Sequence, residues 1–338
     1  MAAQDIEYVE VYTSDQGTTA DYFVSCFGFT RVAESFGHGS RSSLLRQGTV
    51  QIVVTAGRDT QEFLEAHGDG VADIAFACDD VVQAREAAVA AGASVITSKP
   101  GRHVVSGLFG TCHSLVARSA GSRAPADRPW TQLKQGPVRP TGHIRQLDHV
   151  AVCIEGGSLA DSADFYESAF GLPRYSSEYV EIGEQGLDSI VVRSPSGGIT
   201  FTILEQDPKK KPGQLEGFIS RNAGPGVQHL AFLVDDIVSA VHDYNDRGME
   251  FLMTPRAYYE MLAERLPAIQ TEIADLRVSN VLADRDEWGY LLQIFTRSPY
   301  PRNTAFYELV QRRGARGFGG ANIKALYEAV ERDGRVPG

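Results

Sequence analysis

The chain has 338 residues, 43% of them hydrophobic and 22% charged, with a net charge of −11 at pH 7. That length suits two domains, each able to bury its own core. The acidic balance, offset by no basic stripe, argues against nucleic acid or an anionic membrane surface as a partner.

No stretch approaches the roughly 20 apolar residues of a membrane span, and MAAQDIEYVE lacks a signal-peptide pattern. Cys26, Cys78, Cys112 and Cys153 show no CxxC spacing, so reduced thiols in a cytoplasmic protein are expected.

In chain order, apolar alternation predicts a strand over 5–12 and then a helix near 18–27 that closes at Gly28. A strand over 72–78 leads through Asp79-Asp80 into a helix over 80–91. Paired aspartates suit a helix N-cap and the positive end of the helix, and are not read as catalytic. Residues 118–146, rich in Pro, Gly and Arg, read as an interdomain linker draped partly on the surface.

The pattern then repeats. A strand over 147–154 precedes a helix over 159–170 that closes at Gly171, and a strand over 228–234 runs through Asp235-Asp236 into a helix over 236–247. GDGVADIAFACDDVVQAREAAVAAGA from Gly68 matches GPGVQHLAFLVDDIVSAVHDYNDRGM from Gly224, which puts His149 opposite Tyr8 and His229 opposite Asp73. The second half adds a helical insert over 257–277 and, after a glycine-rich loop, a C-terminal helix within 314–333. Its GFGG stretch lacks the lysine and strand-to-helix setting of a phosphate loop, and Lys209-Lys210-Lys211 reads as a solvated turn.

The expected fold is α+β. Two tandem modules of βαβββ repeats each form an open, curved sheet around a barrel-like cavity, with module 1–117, linker 118–146 and module 147–338.

His149 in Leu-Asp-His-Val and His229 in Gln-His-Leu-Ala occupy matched repeat positions, each on a strand with apolar neighbours. Glu308, a carboxylate in the apolar strand Phe-Tyr-Glu-Leu-Val, is the candidate third ligand, because burying it without a cation is costly. Two histidines and one carboxylate form the facial triad of non-haem Fe(II) enzymes that activate O2. A single strand histidine is more often a core residue, and it is the matched pair that favours metal. His113, in Thr-Cys-His-Ser-Leu, lies near the first-module counterpart of the Glu308 strand and reads as a core or surface residue.

At these residues the chain resembles the 4-hydroxyphenylpyruvate dioxygenase family of the vicinal-oxygen-chelate fold. LDHVAVC, PGQLEGFI, GPGVQHLAF, NVLADRDEWGYLLQIFT and FYELVQRRGARGFGGANIKALYEAVE carry the resemblance, which covers nearly the whole chain. It implies an Fe(II) enzyme that consumes O2 and an aromatic 2-oxo acid, with His149, His229 and Glu308 as ligands and a homodimer as the assembly. It also implies a pocket of Gln214, Gln228, Gln293, Phe295, Phe306, Phe318 and Asn322 under a C-terminal lid helix. In that pocket Gln293 holds the phenol hydroxyl, and the three phenylalanines clamp the ring and exclude water.

Family members start from the same substrate and differ in product. The dioxygenases hydroxylate the ring to give homogentisate, whereas hydroxymandelate synthases hydroxylate the benzylic carbon. Dioxygenases carry Pro-Ile-Asn-Glu where this chain has Thr202-Ile203-Leu204-Glu205, and a lid phenylalanine where it has Ile323, while Ser189 is retained. The three changes match hydroxymandelate synthases, so 4-hydroxymandelate is the expected product and homogentisate the alternative. A metal-free binding protein on the same fold is the reading from another class, and an extradiol or glyoxalase-type enzyme fits the insert and lid poorly.

Overall fold

A computed structural model gives the fold for residues 3–37, 39–97, 103–118, 124–126, 128–133 and 142–325. The first half contains β1 (Ala3–Tyr12), α1 (Gln16–Tyr22), β2 (Thr30–Gly37), β3 (Ser40–Gln47), β4 (Val50–Gly57), α2 (Gln61–His67), β5 (Gly70–Cys78), α3 (Val81–Ala90), β6 (His103–Ser106), β7 (Cys112–Ala117) and β8 (Thr131–Gln132). The second contains β9 (Ile144–Ile154), α4 (Leu159–Phe170), β10 (Arg174–Ile182), β11 (Gln185–Arg193), β12 (Thr200–Gln206), α5 (Gln214–Asn222), β13 (Gly226–Val234), α6 (Ile237–Asp246), α7 (Arg256–Arg265), α8 (Ile273–Val278), β14 (Leu282–Arg285), β15 (Tyr290–Phe295) and β16 (Phe306–Arg313).

These strands form two curled eight-stranded sheets, ordered β6-β7-β5-β1-β4-β3-β2-β8 and β10-β11-β12-β9-β13-β16-β15-β14. The duplication is visible in the pairing. β1 lies parallel to β4 and antiparallel to β5, and β9 lies parallel to β12 and antiparallel to β13. The α+β architecture of tandem vicinal-oxygen-chelate modules is therefore present.

Local chemistry ends the helices where expected. Gly28 (φ 79°) and Gly171 (φ 69°) take the left-handed conformation after the first helix of each module. Before reaching Gly28, α1 continues as a π-helical turn over Phe23–Phe27. Asp80 and Asp236 accept from the Gln83 and Ser239 amides as N-caps, while Asp79 and Asp235 pair with Arg118 and Arg145. The insert is not one helix. α7 stops at Arg265, because Leu266 is extended before Pro267, and α8 restarts at Ile273 after a 3₁₀ turn. The C-terminal helix is helical from Gly320 to Ala325, and its remainder lies outside the described residues.

Among its described residues, the segment between the sheets is held to the first module at two places. Its β8 pairs with β2, and its last residues from Ile144 onward already belong to β9. Arg128 bonds the fully buried Glu10 carboxylate at 2.8 Å. Trp130 covers Tyr8, Leu44, Val53 and Ala75 on the inner face of the first sheet. A carboxylate inside a sheet requires such a partner, and this one comes from far along the chain.

The opposite faces of both sheets and the helices share one core. Phe27 packs on Phe232, Tyr244 and Tyr307, and Phe76 packs on Phe170 and Phe201. His113 belongs to this core. It stacks on Phe76, shares a 2.9 Å hydrogen bond with the Tyr166 hydroxyl, and is pushed down to about 4 by burial, so it is neutral.

Candidate metal centre

Strand register gathers the cluster. Ala231 on β13 lies opposite His149 on β9 and also opposite Glu308 on β16, so the three side chains share a row and a face. His229 is two residues from Ala231 and projects from the same face, opposite Ala151 and Phe306. The methyl of Ala231 leaves room between the imidazole and the carboxylate.

The first module repeats the geometry without the donors. Tyr8 lies opposite Ala75 as His149 lies opposite Ala231. Asp73 stands in the place of His229. The pairings Asp73–Cys112 and Phe76–Leu115 put Ser114, rather than His113, in the place of Glu308. Asp73 accepts from the Ser114 amide at 2.9 Å and its hydroxyl at 2.5 Å.

In the second module the donor atoms of His149, His229 and Glu308 all lie within 4.8 Å of one another, and all three residues are buried. The Glu308 Oε2 is 3.4 Å from His149 Nε2 and 3.2 Å from His229 Nε2. That spacing suits ligands at right angles around a small divalent ion, about 3 Å apart. Electrostatics agree. Burial opposes charge on Glu308, but the two imidazoles outweigh it and hold the carboxyl below its ordinary range. Burial likewise opposes charge on His149, yet Asp148 and Glu308 lift it to about 9. Burial depresses His229. A proton on His149 thus stands where the negative surroundings call for a cation, and two nitrogens with one carboxylate oxygen suit a first-row divalent metal.

The imidazoles are oriented from behind. His149 Nδ1 is 2.8 Å from Asp148 Oδ1, and His229 Nδ1 is 3.2 Å from Gln228 Oε1. Both supports precede their histidine by one residue, which alternation would send to the other face. The ladder shifts at both places, skipping Asp148 between Leu147 and His149 and Gln228 between Val227 and His229. The bulges turn each supporting side chain back to its histidine. Asp148 is in turn gripped by Arg312 through two 2.7 Å bonds. Despite burial, these bonds and His149 hold its carboxyl well below the usual range. Gln228, expected in the substrate pocket, has its side-chain oxygen 3.2 Å from the His229 ring nitrogen. Asp148, Arg312 and Ala231 were not legible as site residues.

Around the cluster, Phe306 stacks on His229 (5.0 Å between centroids), Phe295 lies opposite Glu308, and Phe318 meets His149 edge-on at 5.2 Å. Thr202 lies opposite Ala151, and Leu204 opposite Cys153, on the same inner face. Leu204 packs against Cys153, Leu215 and Phe218. Ser189 lies opposite Leu204 and donates its hydroxyl to the Glu178 carbonyl at 2.9 Å. Thr202 Oγ1 is buried and has no hydrogen-bond partner.

Gln293 and Asn322 bond each other at 3.1 Å, and Asn322 Oδ1 accepts from Tyr258 at 2.7 Å and Arg265 at 3.0 Å. The insert therefore anchors the start of the lid helix. Gly319 explains the GFGG stretch: with φ at 80°, any side chain there would collide with the Gln293 amide. Ile323, next to Asn322, is half-buried, and Gln214 opens α5 as an exposed residue.

These protonation states set a pH dependence. A metal bound at His149 would have to displace its proton, which is held more tightly in the folded protein (about 9) than in the unfolded chain (6.5). In the metal-free protein this contributes stability that is present below 6.5 and lost as pH rises through 9. Thermal shift on adding a divalent metal should therefore grow between pH 6.5 and 9, with affinity rising up to about tenfold per pH unit. A shift that shrinks over that range would contradict the protonation assigned to His149.

The comparisons with known proteins converge. Residues 146–294 match the family model described as the glyoxalase/bleomycin resistance protein/dioxygenase superfamily, and residues 1–117 match that for the N-terminal part of hydroxyphenylpyruvate dioxygenase. The chain is 32% identical to a 4-hydroxyphenylpyruvate dioxygenase of Yarrowia lipolytica, over 97% of this chain and 91% of that one. It is 31% identical to the enzyme of that name from Aspergillus fumigatus, over 98% and 93%. Among solved structures, a triple mutant of 4-hydroxymandelate synthase from Streptomyces coelicolor is 49% identical, covers 99% of this chain and 100% of that chain, and superposes with a TM-score of 0.88.

Proposed function

The chain belongs to the 4-hydroxyphenylpyruvate dioxygenase family, and from that premise we propose that it is a 4-hydroxymandelate synthase using Fe(II) and O2. The observation that carries this reading is the wall beside the triad, where apolar Leu204 packs among Cys153, Leu215 and Phe218 and Thr202 offers an unpaired hydroxyl. The 49% identity to a 4-hydroxymandelate synthase supports it. Homogentisate formation is the second reading, favoured by the names of the curated relatives.

His149, His229 and Glu308 would hold the iron, which supplies the activation of O2 and the oxidising power. The chain's own side chains then decide where that power is spent. Asp148 and Gln228 fix both imidazoles with Nε2 turned to the site. Phe295, Phe306 and Phe318 surround the substrate ring and exclude water. Gln293, bonded by Asn322, would meet the phenol hydroxyl. Thr202 can donate to a polar atom of the substrate near the metal, and Leu204 gives the ring no polar anchor. The reaction converts 4-hydroxyphenylpyruvate and O2 to 4-hydroxymandelate and CO2. One oxygen atom enters the benzylic C–H bond and the other completes the new carboxylate.

Incubation with Fe(II), O2 and 4-hydroxyphenylpyruvate, followed by chromatography of the products, tests this directly. Hydroxymandelate as the main product supports it, and homogentisate would overturn it. Thr202→Val gives an independent check. Replacing an unsatisfied buried hydroxyl by a methyl should leave the free protein as stable or more stable, by up to about 1 kcal/mol, while raising KM several-fold. An unchanged KM would remove Thr202 from the substrate site.

A further inference from the structure

Arg312 makes more contacts than support of one aspartate requires. Its Nε and Nη2 hold the two Asp148 oxygens at 2.7 Å each. Its Nη1 donates to the Gly317 carbonyl at 2.7 Å and the Ala315 carbonyl at 3.3 Å. Its guanidinium carbon lies 4.9 Å from the Phe318 ring centroid, and that ring packs edge-on against His149. Asp148 and Arg312 side chains are only 7% and 19% exposed. One planar guanidinium therefore joins the loop that leads into the lid helix to the carboxylate that orients a candidate ligand.

The geometry points to Arg312 as a positioning residue that couples closure of the 314–318 loop to the orientation of His149. The inference rests on His149 being a metal ligand, as proposed above. With the loop seated, its carbonyls hold Nη1 and Phe318 holds the guanidinium plane. This fixes the fork on Asp148, and Asp148 fixes the His149 tautomer with Nε2 toward the site. The link runs both ways. Metal bound at Nε2 fixes the ring in the orientation that meets Asp148, which favours the seated loop, because coupling between two sites is reciprocal. Asp286 also accepts from the Arg316 and Gly317 amides. The loop is therefore not held by Arg312 alone. What Arg312 adds is the connection to the metal ligand.

Amide hydrogen exchange over residues 314–318, measured with and without Co(II), reads this coupling apart from turnover. In the unaltered protein Co(II) is expected to slow exchange there. Arg312→Met alone would strand the buried Asp148 charge and could unfold the site, so the informative variant is the double change Asp148→Asn with Arg312→Met. It should remain folded, bind Co(II) about 10- to 100-fold more weakly, and show loop exchange that no longer responds to Co(II). Wild-type affinity, or a loop that responds as in the wild type, would overturn the inference. His149→Ala separates the two claims. Full Co(II) affinity in that variant defeats the ligand assignment itself, whereas loss of Co(II) there beside normal behaviour of the double variant defeats only the role of Arg312.

Discussion

Glu308→Gln is expected to abolish turnover and to weaken metal binding by roughly 10²- to 10⁴-fold, while leaving the metal-free protein folded. The carboxylate is the one negative group among the three candidate ligands, is only 2% exposed, and shares its Oε2 between His149 and His229. Glutamine fills the same volume but offers a neutral oxygen. Removing one side of a buried charge interaction costs about 3–5 kcal/mol, which sets that fold-change. The fold should survive because both imidazoles keep their outer hydrogen bonds, to Asp148 and Gln228. Metal titration by calorimetry, with thermal unfolding of both forms, checks the prediction. Undiminished affinity would place the metal elsewhere.

The second large effect concerns product rather than rate. Leu204→Asn combined with Ile323→Phe is expected to raise the ratio of homogentisate to hydroxymandelate by about tenfold while CO2 release continues. Ring and benzylic carbons are adjacent in the substrate, so a preference of about 1.4 kcal/mol suffices for that change, comparable to one hydrogen bond or one pocket methylene. The new amide in place of Leu204 would introduce a polar anchor beside Cys153, Leu215 and Phe218, at a stability cost of about 1–3 kcal/mol. An aromatic ring in place of Ile323 would narrow the pocket next to Asn322, whose amide is fixed by Tyr258 and Arg265. Chromatography of the two acids gives the ratio directly. An unchanged ratio would mean that these positions do not steer the oxidation.

Much of this arrangement was legible in the sequence because it follows periodic rules. The duplicated strand–helix pattern, the glycine and aspartate caps, and His149 opposite Tyr8 all follow from alternation and capping chemistry. The failures occur where periodicity breaks. Asp148 and Gln228 sit at β-bulges, which reverse the face that alternation assigns to them. His113 is the core residue it was read to be, but that Ser114 takes the place of Glu308 was not legible, because the register of β5 on β7 cannot be read without the pairing. Arg128 finds Glu10, and Arg312 finds Asp148, across more than a hundred residues of chain, distances over which no local pattern speaks. The break of the insert was written in Pro267, whose effect on Leu266 stops α7.

The product formed from 4-hydroxyphenylpyruvate under ¹⁸O₂ tests the central claim most directly. Fe(II)-loaded protein should yield 4-hydroxymandelate carrying one labelled oxygen at the benzylic carbon and one in the carboxylate, with one CO2 released per O2 consumed. Homogentisate as the labelled product, or hydroxymandelate without benzylic label, would contradict it.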